Sequence, residues 1–281
     1  MRFRRDAELD PTQVSDRRGM AGPLALGGGG LVGLLVLVLT LLNGGDPASL
    51  QIGGAKAGDG ADLAAECRTG EDANQREDCR IVGVINSVQA YWTSSLNGYE
   101  AAPTVFFSGS TSTGCGSATS AVGPFYCPLD QTVYIDLGFY DELRQRFGAS
   151  GGAFAEAYVI AHEYGHHVQN LNGVLERSSD GTSGPTSSSV RVELMADCLA
   201  GVWATNAVST RFIEDLSDAD VRDGLDAAAA IGDDRIQESA QGRVDPESFT
   251  HGSSEQRQRW FKRGFDGGSS ESCNTFGTDA L

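Results

Sequence analysis

The chain has 281 residues, of which 40% are hydrophobic, and this is enough to bury one sizeable core. Lys and Arg together number 21 while Asp and Glu number 38, so the formal net charge at pH 7 is −17. This excess of negative charge repels nucleic acid, and we therefore expect no nucleic-acid partner.

The first 62 residues divide into three predicted parts. Residues 1–20 carry charges of both signs and are predicted to form a disordered cytoplasmic tail. Residues 21–43 are predicted to form a transmembrane helix, because positions 21–42 carry no charge over a length that can cross a hydrocarbon core of roughly 30 Å. The alternatives are a signal-peptide core, since the densest apolar part is only Leu31–Leu42, and a buried core helix. Residues 44–62 are rich in Gly, Ala and Asp and are predicted to be a flexible linker.

Arginines before the apolar run predict its orientation. Arg17 and Arg18 precede it directly, and Arg2, Arg4 and Arg5 lie further back. By the positive-inside rule the N-terminus is cytoplasmic, the helix contacts the lipid bilayer, and the domain that follows lies outside the cytoplasm.

The six cysteines agree with an oxidising compartment. Two pairs share one spacing, Cys67 with Cys79 and Cys115 with Cys127, and we predict that each forms a local disulfide. Cys198 and Cys273 are left as a third pair. Because six cysteines allow 15 pairings, this choice rests only on proximity along the chain. Reduced cysteines packed as small hydrophobic side chains are the alternative.

Residues 63–281 are predicted to form one domain that is mainly helical. The apolar spacing of residues 75–95 predicts a helix, residues 103–108 a strand, and residues 122–136 a hairpin that turns at "PLDQ". Residues 177–189, rich in Ser and Gly, are predicted to be a surface loop. Further helices are predicted near 138–147, 151–170, 187–206, 217–238 and 253–265. The fold class is therefore α+β, with a small antiparallel sheet beside the helices.

The run His162-Glu163-Tyr164-Gly165-His166 is an HExxH motif. Positions i and i+4 share one face of a helix, so both imidazoles can bind one Zn²⁺, and Glu163 can accept a proton from a metal-activated water. The alternative is a pair of satisfied core histidines. Gly165 costs about 1 kcal/mol inside a helix, which suggests that something approaches the backbone there. His167 lies about 100° further round the helix and is predicted to have a supporting or a surface role.

A catalytic zinc needs a third protein ligand. Three Glu-x3-Asp pairs follow the motif, Glu176 with Asp180, Glu214 with Asp218, and Glu193 with Asp197. Only the last lies in a helix that is apolar nearly all round, where buried carboxylates need partners. We therefore predict Glu193 as the third ligand and Asp197 as the acceptor of a hydrogen bond from a ligand histidine. The alternative is an ion pair between Glu193 and Arg191.

His251 is the fourth histidine of the chain. A hydrolase needs a donor for the oxyanion of the tetrahedral intermediate, and His251 is a candidate for this role. It could equally be an alternative metal ligand or an exposed helix cap, and Tyr126 and Tyr134 are rival donors.

Four segments follow one another along the chain, namely "FSGSTSTGCGSATSAVGPFYCPLDQTVYIDLGFYDELRQRFG", "YVIAHEYGHHVQN", "VELMADCLAGVW" and "HGSSEQRQRWFKRGF". In this order they resemble the bacterial family of putative neutral zinc metallopeptidases. The resemblance covers roughly residues 65–275. It implies a zinc peptidase with His162 and His166 as ligands and Glu163 as base, and Glu193 matches the position of a Glu-type third ligand.

The sequence thus predicts a membrane-anchored zinc endopeptidase that acts on a peptide or protein substrate, with Zn²⁺ as its cofactor. Two alternatives stay open. One is a catalytically silent, zinc-stabilised binding module tethered to a membrane, and the other is a zinc amidase that acts on a non-peptide substrate.

Overall fold

The computed structural model of the chain describes residues 1–19 and 62–281. Most of the fold is helical. The helices are α1 (Leu63–Glu66), α2 (Gly70–Gln75), α3 (Glu77–Ser95), α4 (Gly138–Gln145), α5 (Ala153–Leu171), α6 (Val174–Arg177), α7 (Ser188–Asn206), α8 (Asp218–Ala230), α9 (Asp233–Gln241) and α10 (Ser254–Gly267).

Eight short strands accompany these helices in the described residues. They are β1 (Arg2–Phe3), β2 (Val14–Asp16), β3 (Thr104–Phe107), β4 (Ser110–Thr113), β5 (Gly116–Thr119), β6 (Phe125–Cys127), β7 (Thr132–Asp136) and β8 (Ile213–Asp215). The largest sheet has the order β2-β3-β7-β6, in which β2, β3 and β7 run parallel and β6 is an antiparallel edge strand. β1 pairs with β8, and β4 with β5.

Glycines let three helices cross closely at the centre of the molecule. A Cβ atom on Gly201 of α7 would lie 2.0 Å from the carbonyl oxygen of Phe261 in α10, and one on Gly264 would lie 1.9 Å from that of Cys198. A Cβ on Gly165 of α5 would lie 3.0 Å from the Cα of Ala196 in α7. The close approach expected at Gly165 is therefore confirmed, and α7 lies between α5 and α10.

The α+β class and most predicted elements are confirmed. α3, β3, the β6–β7 hairpin, α4, α5, α7 and α10 lie where the sequence predicts them, and all three predicted disulfides are formed. The largest sheet is mixed, however, and not purely antiparallel.

The single helix predicted near 217–238 is wrong, because it divides into α8 and α9 at Ile231 and Gly232. The reason lies in the carboxylate of Asp233, which accepts hydrogen bonds from the backbone N–H groups of residues 250, 251 and 252. These bonds fix the start of α9 against the loop before α10.

The prediction of a disordered tail over residues 1–20 is wrong for residues 1–19. Phe3, Leu9 and Val14 are buried, and β2 forms an edge of the largest sheet by pairing with β3. The ring of Phe3 occupies the space beside Gly83 in α3, where a Cβ atom would lie 2.5 Å from it. A few apolar side chains order this segment by packing against residues that are distant in the sequence. Because charged residues of both signs surround them, the composition of the segment alone predicts disorder.

The predicted transmembrane helix over 21–43 lies outside the described residues, as does the linker over 44–62 except for Asp62. Among residues 1–19 and 62–281, no helix combines the length and the apolar character that a membrane crossing requires. Residues 1–19 and the domain pack into one unit. A single crossing that leaves the N-terminus in the cytoplasm and the domain outside would require the two to lie apart, whereas β1 pairs with β8 and β2 with β3.

Candidate metal centre

Two crossing helices bring three metal-ligand side chains together. His162 and His166 lie on α5 and Glu193 on α7, and one ligand atom from each lies within 4.8 Å of the others. The Nε2 atom of His162 is 3.1 Å from Glu193 Oε2, and that of His166 is 3.5 Å from Glu193 Oε1. Ligands about 2.1 Å from a tetrahedral zinc lie about 3.4 Å apart, so these donors fit such an ion in both chemistry and spacing. The other two Glu-x3-Asp pairs take no part in the cluster.

Asp197 orients the first histidine. His162 Nδ1–H donates to Asp197 Oδ1 at 2.8 Å, as predicted, which directs Nε2 towards Glu193. Asp197 is fully buried and receives two further hydrogen bonds from Arg257 of α10, both at 2.9 Å, and one from the hydroxyl of Tyr158. The buried carboxylate is thus paired with a buried guanidinium, which offsets the cost of desolvating both.

The charged groups of this cluster shift one another's pKa values. Burial alone would lower the pKa of His162, but the adjacent carboxylates of Asp197 and Glu193 outweigh it and raise the pKa to about 10. Burial opposes ionisation of Glu193, yet the two histidines hold its pKa well below the usual value. For His166 burial dominates and lowers the pKa.

Glu163 lies beside the cluster, on the same helix as the two histidines. Its side chain is buried, and burial raises the pKa of its carboxyl to about 7. The main-chain N–H of Tyr126 in β6 is close enough to lower that pKa in part. A carboxylate with a pKa near neutrality can both take up and release a proton at physiological pH.

His251 approaches the cluster from the loop before α10. Its Nδ1 lies 3.2 Å from Asp233 Oδ1, and this carboxylate, with the nearby charge of Glu193, raises the pKa of His251 against the effect of burial. The described residues offer its Nε2 no hydrogen-bond partner. His251 lies outside the group of three donors, which speaks against its being an alternative ligand.

The two rival tyrosines have other partners. Tyr134 donates its hydroxyl hydrogen to Asp130 at 2.8 Å, and the hydroxyl of Tyr126 lies 3.0 Å from His167 Nδ1. Burial raises the pKa of each tyrosine to about 12. Among the described residues, His251 is thus the one of these three candidates that keeps a polar side-chain atom, Nε2, without a hydrogen-bond partner.

His167 is buried, at 1% exposure, so the predicted surface role is wrong. Its ring packs between Tyr99 and Tyr126, with centroid distances of 5.4 Å to each. Glu193 does not pair with Arg191, which donates instead to the carbonyl oxygens of Thr275 and Thr278.

Sequence reasoning missed three residues of the site, namely Arg257, Tyr158 and Asp233. One signal was available for Arg257, because it lies three and four positions before Trp260 and Phe261 on the apolar face of a predicted helix. A cation on that face indicates a buried anionic partner.

Comparison with known proteins agrees with this geometry. A family model described as "Putative neutral zinc metallopeptidase" matches residues 1–276. The uncharacterized protein Rv2575 of Mycobacterium tuberculosis is 53% identical over 224 residues, which cover 77% of this chain and 76% of that protein. The uncharacterized protein YpfJ of Escherichia coli K12 is 40% identical over 304 residues, covering 99% of each chain. No solved structure shows significant similarity to the chain.

Proposed function

The chain belongs to the family of putative neutral zinc metallopeptidases, and from this premise we propose that it is a zinc-dependent endopeptidase. The observation that carries the proposal is the convergence of His162, His166 and Glu193 within 4.8 Å, with the carboxylate of Glu163 beside them. Three protein ligands are the number that a catalytic zinc requires, because its fourth position stays open for water or substrate.

Each residue of the cluster has a role in this proposal. His162, His166 and Glu193 would hold the ion. A bound zinc supplies Lewis acidity, which lowers the pKa of water and polarises a carbonyl oxygen. Glu163 accepts the proton of the attacking water and later donates it to the leaving amine, a double role that its pKa of about 7 supports.

His251 is proposed as the donor to the oxyanion. Its Nδ1 faces Thr250 Oγ1 at 2.9 Å and Asp233 Oδ1 at 3.2 Å, and the carboxylate favours the protonated ring. Nε2–H is then left to donate to the oxygen on which negative charge develops. Asp233 would then act by orienting His251.

The substrate is proposed to bind as an extended strand along β6. Within the described residues β6 pairs with β7 on one side only, and it contacts the helix that carries the motif. An unpaired strand edge offers main-chain N–H and C=O groups to a peptide, whereas a non-peptide amide could not use them along its length.

The test compares zinc content and casein cleavage in the full chain, in Glu163→Gln and in Glu176→Gln. We expect about one zinc per chain in all three proteins, and a loss of roughly 10²- to 10⁴-fold in cleavage only in Glu163→Gln. Glu176 is the matched control, because it is exposed and belongs to a rejected Glu-x3-Asp pair. A wild-type chain without zinc refutes the proposal, and zinc without cleavage indicates a silent binding module.

A location at a membrane is a further part of the proposal. The uncharged run at 21–42 supports contact with a bilayer, and three disulfides support an oxidising compartment. The packing of residues 1–19 on the domain adds the condition that both lie on the same side of that membrane.

A further inference from the structure

His167 joins the motif helix to the edge strand of the sheet. It follows the ligand His166 on α5 but points away from the metal cluster, as the helical turn of about 100° per residue requires. Its Nε2 lies 2.6 Å from the carbonyl oxygen of Glu100, and its Nδ1 lies 3.0 Å from the hydroxyl of Tyr126 in β6.

These contacts fix the direction of every hydrogen bond in the group. A carbonyl oxygen can only accept, so Nε2 carries the hydrogen and Nδ1 is left with a lone pair. Nδ1 therefore accepts the hydroxyl hydrogen of Tyr126, and the oxygen of Tyr126 accepts from Asn170 Nδ2 at 3.0 Å. The hydroxyl of Tyr126 is thus held by two side chains of α5 that lie three residues apart.

The side chain of Tyr126 links β6 to α5 through its hydroxyl group. Its neighbours Phe125 and Cys127 point to the other face of the sheet, where they pack with Val105, Phe107 and Tyr134. Tyr126 is therefore the residue of this three-residue strand that faces α5, and its own N–H lies beside Glu163.

We propose that His167 is a positioning residue. Through its hydrogen bond to Tyr126 it fixes the distance between the edge of β6 and the helix α5, which carries Glu163 and the two histidines of the metal cluster. This inference rests on the proposed function, since the edge matters for catalysis only if it holds a peptide. When the hydrogen bond between His167 and Tyr126 is removed, β6 can move away from α5. This movement weakens the binding of an extended substrate more than it slows the chemical step.

Two amide substitutions separate the two contacts of His167. His167→Asn places an acceptor oxygen where Nδ1 stands and keeps the bond to Tyr126, while His167→Gln reaches the position of Nε2 and keeps only the bond to Glu100. Both remove the ring, so they are matched for loss of packing. Tyr126→Phe removes the same hydrogen bond from the other side, and Tyr134→Phe is the control on the neighbouring strand.

The experiment measures KM and kcat for a peptide substrate, zinc per chain, and amide hydrogen exchange in peptides that cover residues 122–136, all in the full chain. We expect His167→Gln and Tyr126→Phe each to raise KM by about two- to tenfold and to speed exchange in β6 by a similar factor, as the loss of one buried hydrogen bond predicts. The double variant should be no worse than either single one, because both substitutions remove the same bond. Zinc content should stay at the wild-type level and His167→Asn should stay close to wild type. Tyr134→Phe should keep the wild-type KM, because its hydroxyl bonds to Asp130 and not to α5.

Three results would overturn the inference. The first is a wild-type rate of amide exchange in His167→Gln, and the second is an equal effect of the Asn and Gln substitutions. The third is loss of zinc from the His167 variants, which would mean that His167 stabilises α5 and not the position of β6. A wild-type chain that cleaves no peptide refutes the proposed function, while the exchange measurements still decide whether His167 positions β6.

Discussion

His162 makes two hydrogen bonds to carboxylates, and these bonds bear on how the proposed zinc site would take up its ion. With a pKa of about 10 its ring is protonated at pH 8, whereas Glu193 is already ionised and His166 already neutral. Glu163, with a pKa of about 7, is mostly ionised at that pH. A zinc ligand must be a neutral imidazole, so binding has to displace a proton from His162.

We therefore predict that zinc binding at pH 8 releases at least one proton per ion, the one displaced from His162, and weakens as the pH falls. Isothermal calorimetry in buffers of different ionisation enthalpy measures this number. Asp197→Asn removes the charge that raises the pKa of His162 and should release fewer protons, with circular dichroism to verify that the variant is folded. Release of no proton by the wild-type chain would contradict the prediction.

Residues that can be recognised locally were predicted from the sequence, and those defined by distant packing were not. The motif places His162 and His166 on one helical face, and two carboxylates in an apolar helix single out Glu193 and Asp197. Arg257 and Asp233 gain their roles only when α10 and its preceding loop pack against neighbouring helices. The spacing of Arg257 indicates that it is buried, but no local spacing identifies its partner Asp197 or the partner of Asp233.

The same distinction holds for secondary-structure elements. α3, α5 and α7 each have 19 residues, so apolar periodicity reveals them. β1, β2 and β8 have two or three residues each, and β1 has its partner strand more than 200 residues away. Strands this short form because of the strands with which they pair. A sequence pattern of ten or so consecutive residues does not include those partner strands and therefore cannot predict them.

Disulfides join several of these elements, and their loop lengths predict unequal contributions to stability. Cys198 and Cys273 are 75 residues apart and tie the C-terminal segment to α7, whereas Cys115 and Cys127 are 12 apart. A cross-link restricts the unfolded chain more when its loop is longer, which gives about 4.5 kcal/mol for the first pair and about 2.8 kcal/mol for the second.

Replacing both members of a pair by Ala should therefore lower the free energy of unfolding more for Cys198 and Cys273 than for Cys115 and Cys127. Equilibrium urea unfolding of the two double variants and the wild type measures the difference. Equal losses, or a larger loss for the short loop, would show that loop entropy does not govern these bonds.

At the scale of the whole molecule, the N-terminal segment is part of the folded domain. Residues 1–19 supply an edge strand to the largest sheet, and their amino terminus pairs with Asp220 of α8. The uncharged run at 21–42 lies between this segment and the rest of the domain. A second crossing would need about 20 more apolar residues, and residues 44–61 contain Asp46, Lys56 and Asp59 instead.

We predict that the segment and the domain are exposed on the same side of the membrane. All six cysteines are paired, so one added cysteine is the sole free thiol of the chain. Arg5→Cys reports on the segment and Lys262→Cys on α10, because these side chains are 80% and 63% exposed and their ion pairs contribute little. A membrane-impermeant maleimide, added to intact spheroplasts and to lysed ones, should label both variants in the same fractions. Labelling of Lys262→Cys in intact spheroplasts together with protection of Arg5→Cys would instead establish a single crossing. In that case residues 1–19 could not pack on the domain of their own chain, and the edge of the sheet at β3 would need another partner.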